Sequence, residues 1–313
     1  MSNRITSQIP PKGIRFAPSP TGTFHIGNLR TAVVSYYWST HLSTPWVVRF
    51  DDIDRPRVLE KADEAQLRDL QSLGMKPAII QYQSKFIHRH REIFQEALRT
   101  GQAYPCICSR KEVQADLGKF ASAPQSSKPD PKSFVIDAPV YSGHCRNAPV
   151  SAEHAGAIAW RFRSPRSDLG HKDFVIGRTT NISDMESFQP SYHFASAVDD
   201  YDGGFVLLVR AWDLGPATFP QRDLMTWLQT RAQIRHGIPQ VFHAALVTAE
   251  DGTRLEKRTQ GVTLAEIQSQ GKTLEAIRRK LEMSFNPVVG YEEGGKDWMG
   301  EARQTIRVSE LGL

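Results

Sequence analysis

Apolar residues along this chain recur at two spacings, one suited to strands and one to helices. Residues 14–17 form a short apolar run of strand character, and Pro18, Pro20 and Gly22 then interrupt regular structure as far as His25. Leu29, Ala32, Val33, Tyr36 and Tyr37 follow at the i, i+3, i+4, i+7, i+8 spacing of one buried helix face. A second strand is predicted over 45–50, so the order strand, helix, strand predicts a right-handed parallel unit. Helices are predicted over 61–73 and 86–100, each carrying Leu, Ile or Phe at helical spacing. The Ser-, Pro- and Lys-rich stretch 121–133 reads as a surface loop. Strands are predicted over 157–162, 173–176 and 205–210, with an irregular insert at 179–188. Helices over 221–233, 264–270 and 274–285 complete an α/β pattern.

This layout puts chemistry at the ends of elements. The loop before the first helix delivers His25 and Asn28 to a helix N-terminus, where unpaired N–H groups and the helix dipole suit phosphate. The strand over 45–50 runs into Arg49, Asp51, Asp52, Asp54, Arg55 and Arg57, at the carboxyl end where open parallel sheets place ligands. By pattern alone this cluster is either a ligand site or a turn capping the next helix. Arg210, at the end of the strand over 205–210, would by type alone be a surface ion-pair residue. His88, Arg89, His90 and Arg91 form a basic patch, equally suited to solvent or to RNA.

Composition narrows the class. A chain of 313 residues that is 40% hydrophobic has material for two domains and a sizeable core. The polar stretch 1–10 lacks the apolar run of a signal peptide or anchor, so a cytoplasmic location without a membrane partner is expected. A net charge of +5 is compatible with a polyanionic partner and does not require one. Three cysteines, an odd number, do not make a secreted disulfide framework and read as metal ligands in a reducing compartment. Cys106, Cys108 and Cys145 supply three thiolates, and Tyr141 or His144 could close a zinc tetrahedron.

The run RFAPSPTGTFHIGNLR, residues 15–30, resembles the HIGH signature of class I aminoacyl-tRNA synthetases in its glutamyl form. Residues 190–200 and 210–214 are similar to further motifs of that family. The resemblance implies a Rossmann-type parallel sheet, an inserted zinc-bearing acceptor-type subdomain and a short helical C-terminal region. The implied boundaries are 1–100 and 166–250 for the two halves of the catalytic domain, 101–165 for the insert, and 251–313 for a KMSKS-like loop and helices.

The same resemblance assigns roles. Arg15 would fork a substrate carboxylate, with Ala17 and Ser19 lining the glutamate pocket beside Tyr192 and Arg210. Asp51 stands where the family carries a glutamate that holds the substrate amino group. His25 and Lys257 would stabilise charge at the reacting phosphate, with Asn28 also in the ATP site. The segment Arg254-Leu255-Glu256-Lys257-Arg258 matches KMSKS in part, with Arg254 for its first lysine, Glu256 for its serine and Lys257 retained. Cys106, Cys108, Tyr141 and Cys145 resemble the zinc site of the glutamyl-queuosine tRNA-Asp branch, in which the tyrosine coordinates. The end of the chain soon after the second signature points to the same branch. Implied partners are ATP with Mg²⁺, L-glutamate and tRNA-Asp, with one structural zinc and a monomeric state. The implied reaction forms glutamyl adenylate and passes the glutamyl group to queuosine at the wobble position. A short glutamyl-tRNA synthetase charging a tRNA 3′ end, and a non-catalytic nucleotide- or RNA-binding relative, are the rival readings.

Overall fold

The computed structural model describes residues 13–109, 111–113, 141–148, 150–151, 154, 156–166, 172–231, 236–253, 255, 262–285, 287–292, 296–301 and 305–313, with the backbone alone over 287–300. The chain divides into two compact units, one of residues 1–84, 200–212 and 236–313, the other of 85–199 and 213–235.

The first unit begins with β1 (Ile14–Phe16), α1 (Ile26–His41), β2 (Trp46–Phe50), α2 (Ala62–Ser72) and β3 (Ile79–Tyr82). The second holds α3 (Ile87–Arg99), β4 (Ala103–Cys106), β5 (Ile158–Phe162), β6 (Phe174–Thr179) and β7 (Gln189–Pro190). Helix α4 (Tyr192–Asp202) contains the division, which falls between Asp199 and Asp200. Then come β8 (Leu207–Ala211), α5 (Thr218–Arg231) in the second unit, β9 (Gln240–Ala244), β10 (Leu246–Thr248), α6 (Leu264–Ser269) and α7 (Leu274–Met283). Strands β11 (Pro287–Glu292), β12 (Lys296–Glu301) and β13 (Thr305–Arg307) follow.

In the first unit a seven-stranded sheet runs in the order β11-β12-β9-β8-β1-β2-β3. Every pairing from β12 to β3 is parallel, and β11 alone is antiparallel to its neighbour. The chain winds outward from β1 to β2 and β3, then returns on the opposite side through β8. The switch point of this sheet therefore lies between β1 and β8, and open α/β sheets bind ligands at the strand carboxyl ends there. Against the sheet, Ile26, Leu29, Ala32 and Val33 of α1 pack with Phe16, Trp46, Val48 and Phe50 in one buried cluster. Each fully buried Ile, Leu, Val or Phe side chain among them contributes ~1.5–3 kcal/mol of transfer free energy, which fixes α1 and hence its N-terminus on the sheet.

The C-terminal region departs from the expected helices. After α6 and α7 the chain returns as strands, with β12 pairing Met299↔Phe242 and Gly300↔His243 beside β9. The hairpin partners Glu292 and Lys296 flank a sequence containing Gly294-Gly295, a turn signal of the kind that joins antiparallel strands. Arg30 of α1 is fully buried and meets both carboxylate oxygens of Glu301, at 2.7 and 2.5 Å, tying the helix to the end of β12. Strand β3 also escaped the sequence reading, because four residues behind Pro77 carry too short a pattern to separate from a loop. The surface loop expected over 121–133 lies outside the described residues.

The second unit is built on an antiparallel sheet, β4-β5-β6-β7. Phe94 of α3 stacks on Phe188 at 3.8 Å between ring centroids, and Trp160 packs edge-on against Phe94. Among the described residues no helix is long and apolar enough to cross a membrane.

Candidate active site and cysteine cluster

The loop between β1 and α1 is held by backbone bonds. Thr21 N–H donates to Ser19 O, Asp51 N–H to Pro18 O and Leu59 N–H to Pro20 O, at 2.8, 3.0 and 3.0 Å. Gln66 of α2 donates from Nε2 to Ser19 O and Gly22 O. His25 caps α1: its Nδ1 accepts the Gly27 N–H at 3.1 Å. A neutral imidazole with Nδ1 accepting carries its proton on Nε2, so the ring offers an N–H donor beside the positive end of the helix. A Cβ on Gly27 would lie 3.0 Å from His25 Cε1, so glycine there leaves room for the ring. Asn28 occupies the first turn, its N–H donating to His25 O at 2.9 Å.

Behind this loop the centre of the sheet carries a buried chain of ions. Asp200 accepts from Arg15 Nε at 3.0 Å and Nη2 at 2.5 Å, and from Arg49 Nη1 at 2.6 Å. Arg49 Nε donates to Asp51 Oδ1 at 2.7 Å. Buried guanidiniums on β1 and β2 are tolerated because two carboxylates balance two cations. Burial alone would raise Asp200, but Arg15 and Arg49 more than offset it and hold the group below the ordinary carboxylate range. Burial dominates at Asp51 and pushes it up against the pull of Arg49 and Arg15.

Of the acidic cluster after β2, Asp51 joins this chain while its neighbours do other work. Asp52 accepts from the Ser84 backbone N–H and hydroxyl, both at 2.7 Å. Asp54 forms an exposed pair with Arg57 at 3.7 Å. Arg210 and His243 are opposite each other on β8 and β9, both buried. Burial and the neighbouring Arg210 charge lower His243 to about 3, so its imidazole stays neutral at ordinary pH.

In the second unit Cys106, Cys108 and Cys145 bring their sulfurs within 4.8 Å of one another. Tyr141 Oη lies 3.6 Å from Cys106 Sγ and 4.0 Å from Cys108 Sγ, and accepts the Cys145 N–H at 2.7 Å. A tetrahedral ion with Zn–S near 2.3 Å separates its sulfurs by about 3.8 Å, so this donor set fits zinc. His144 is exposed and stands outside the group, while the Tyr141 phenol lies among the thiols. Without a cation, burial and the adjacent thiols raise Cys108 to about 12. At Cys106 burial opposes ionisation, and Arg161 more than offsets it, lowering the thiol.

Residues 13–297 match the family described as tRNA synthetases class I (E and Q), catalytic domain. The chain belongs to this family. Membership makes it a ligase of the aminoacyl-tRNA synthetase type. The synthetase is 33% identical over 290 residues to a glutamyl-Q tRNA(Asp) synthetase of Rhodopirellula baltica, covering 85% of this chain and 82% of that protein. It is 34% identical over 278 residues to glutamate–tRNA ligase 1 of Acidiphilium cryptum, covering 84% of this chain and 55% of that relative, about half its length. Its fold is similar to that of a glutamate-tRNA synthetase from Elizabethkingia anophelis, with a TM-score of 0.63 at 21% identity over 89% of this chain and 62% of that one.

The sequence-derived site residues of the synthetase separate by position. Arg15, Ala17, Ser19, His25, Asn28, Asp51 and Arg210 all belong to the first unit, on or just after β1, β2 and β8 or at the start of α1. Tyr192 opens α4 in the second unit, 38% exposed. Lys257, with Arg254 and Glu256, lies outside the described residues. The described residues that follow this segment reach the HIGN helix: Ile26 N–H donates to Val262 O at 2.8 Å, and His25 bridges to Thr263. The expected fork of Arg15 is engaged, since its Nε and Nη2 edge meets Asp200. Arg49 was named only as part of the charged cluster after the second strand, and Asp200, His243 and Arg161 were given no role from sequence. Of the last three, Asp200 carried a signal, as part of the adjacent pair Asp199-Asp200 in a motif without an assigned role.

Proposed function

We propose that this synthetase activates L-glutamate with ATP and transfers the glutamyl group to queuosine at the wobble position of tRNA-Asp. An α-carboxylate oxygen of glutamate attacks the α-phosphorus of ATP, a P–O bond forms, and pyrophosphate leaves with the bridging oxygen. Mg²⁺ accompanying ATP would balance phosphate charge. A queuosine hydroxyl then attacks the acyl carbon, giving an ester and releasing AMP, with the hydroxyl proton passing to solvent. His25 would donate from Nε2 to the phosphate and Lys257 would offset charge on departing pyrophosphate, with Asn28 in the same ATP site. Arg15, Ala17, Ser19, Asp51, Tyr192 and Arg210 would form the glutamate pocket, Asp51 facing the ammonium and an arginine facing a carboxylate.

The observation that carries this reading is the convergence of two buried arginines and Asp51 behind the helix start capped by His25, recognition groups for a zwitterionic amino acid beside a phosphate site. Cys106, Cys108, Tyr141 and Cys145 would hold one structural zinc within an inserted subdomain, and all four positions taken leave no open site for chemistry. For the acceptor, support comes from similarity to the Rhodopirellula baltica relative over most of both chains. Glutamate-dependent ATP–pyrophosphate exchange without tRNA tests the first step. Transfer of labelled glutamate to tRNA-Asp with and without queuosine tests the second; equal transfer to both, lost on periodate oxidation of the 3′ end of queuosine-free tRNA, would assign 3′-end charging instead.

A further inference from the structure

Arg161 lies over the cysteine cluster with partners that do not balance its charge. Its guanidinium carbon is 3.6 Å from the centroid of the Tyr141 ring, its Nε donates to Cys106 Sγ at 3.2 Å, and its Nη1 donates to the Asp173 carbonyl at 3.1 Å. It is 7% exposed. The nearby Asp173 carboxylate serves other groups: it accepts from Tyr104 Oη at 2.7 Å and Ser164 N–H at 2.8 Å, and pairs with Arg146. Among the described residues no carboxylate forms an ion pair with Arg161. A buried guanidinium carries a large desolvation cost unless negative charge meets it. Among the described residues, the groups touching Arg161 that can carry negative charge are the Cys106 sulfur and the Tyr141 phenol.

Strand geometry makes the placement deliberate in the local structure. Ala159, two residues earlier on β5 and so on the same face, packs among Tyr104, Cys106, Tyr141 and Cys145. The register of β5 against β6 shifts between Trp160 and Arg161 with Ile176 of β6 as the extra residue, while β5 stays in unbroken register with β4, Tyr104 opposite Arg161.

We propose that Arg161 is the built-in counter-charge of the metal site, a positioning residue whose guanidinium lies over the Tyr141 ring and donates to the Cys106 sulfur. The inference rests on the zinc reading given above. Three thiolates and a phenolate around a divalent cation carry a net charge of −2, and Arg161 reduces it to −1 in a buried setting. Its planar face meets the phenol ring while its Nε meets a ligand sulfur, so one side chain contacts two of the four donors.

The experiment is a chelator-competition titration of zinc on the full chain, for the parent protein, Arg161→Met and Arg161→Lys, paired with the absorption spectrum of the Co²⁺-loaded forms. Arg161→Met is expected to bind zinc about ten- to a hundredfold more weakly, the scale for a lost outer-shell partner. Its Co²⁺ charge-transfer bands should shift as the sulfur and phenolate lose their shared cation. Arg161→Lys keeps the charge and should recover most of the affinity. Should Arg161→Met lose its near-ultraviolet circular dichroism, Arg161→Gln, which keeps a donor toward Cys106 and removes only the charge, carries the same expectation. Parent-like zinc affinity and Co²⁺ spectrum in a neutral variant would overturn the role of Arg161 while leaving the zinc site standing. A Lys variant as weak as the neutral one would overturn charge as the cause. A parent protein that binds no zinc would overturn both readings.

Discussion

Asp200 receives Arg15 through both carboxylate oxygens and holds Arg49 at the same time, so one buried acid fixes the guanidiniums of two neighbouring parallel strands. Removing its charge deprives the two buried cations of the carboxylate they share. Asp200→Asn is therefore expected to destabilise the fold by about 3–5 kcal/mol, the usual cost of breaking a buried pair. Adding Arg49→Met should recover part of that loss, because the second cation is removed with its partner. Urea unfolding of both single variants and the double variant measures this; strictly additive losses would mean that the two residues are not coupled.

Asp51 should matter through charge. Asp51→Asn preserves shape and is expected to weaken glutamate activation by roughly 1.5–3 kcal/mol, the worth of a hydrogen bond to a charged group. Asp51→Glu, one methylene longer, should be tolerated or improve the enzyme. Glutamate-dependent pyrophosphate exchange reads both, and parent-like exchange by Asp51→Asn would take the ammonium away from this residue.

His25→Ala should slow adenylate formation by roughly a hundred- to a thousandfold while the KM for glutamate barely moves, as for a lost transition-state donor. Gly27→Ala tests the geometry without touching the imidazole itself. A Cβ 3.0 Å from the ring should displace the cap and lower the exchange rate in the same direction. A Gly27→Ala enzyme with full exchange would show that the ring position is not critical.

The buried His243 makes an acid-side prediction. Its folded value near 3 lies below the ordinary 6.5, so between these the unfolded chain binds a proton that the folded chain does not. Stability should fall as pH is lowered through that window, by up to about 1.4 kcal/mol per pH unit from this group. His243→Gln is neutral at every pH and should flatten that slope, measured as urea midpoints at several pH values. An unchanged slope would mean that His243 is protonated in the folded protein.

Cys145→Ser is expected to lose most bound zinc and to lower the thermal midpoint, since one of four ligands is removed. Metal analysis of protein purified without added zinc, together with a melting curve, checks it. Full zinc and unchanged melting would remove Cys145 from the site.

The sequence by itself determined the parts whose physics is local. Breaks at Pro18 and Pro20, the helical spacing from Leu29 to Tyr37 and the apolar run into Phe50 fixed β1, α1 and β2 to within a few residues, because backbone restriction and period act over short stretches. They also placed His25 at a helix start. What only the tertiary structure decided depends on residues far apart in the chain. Arg15 and Asp200 are 185 positions apart, Arg30 and Glu301 are 271 apart, and no periodicity links either pair. The convergence of the Tyr141 phenol on the cysteine sulfurs, with His144 exposed, likewise depends on the fold, because convergence is a property of position that residue type does not carry. Arg161 shows the reason most plainly: buried charge is decided by what surrounds it, and its surroundings come from β4, β5 and the segment around Tyr141 together.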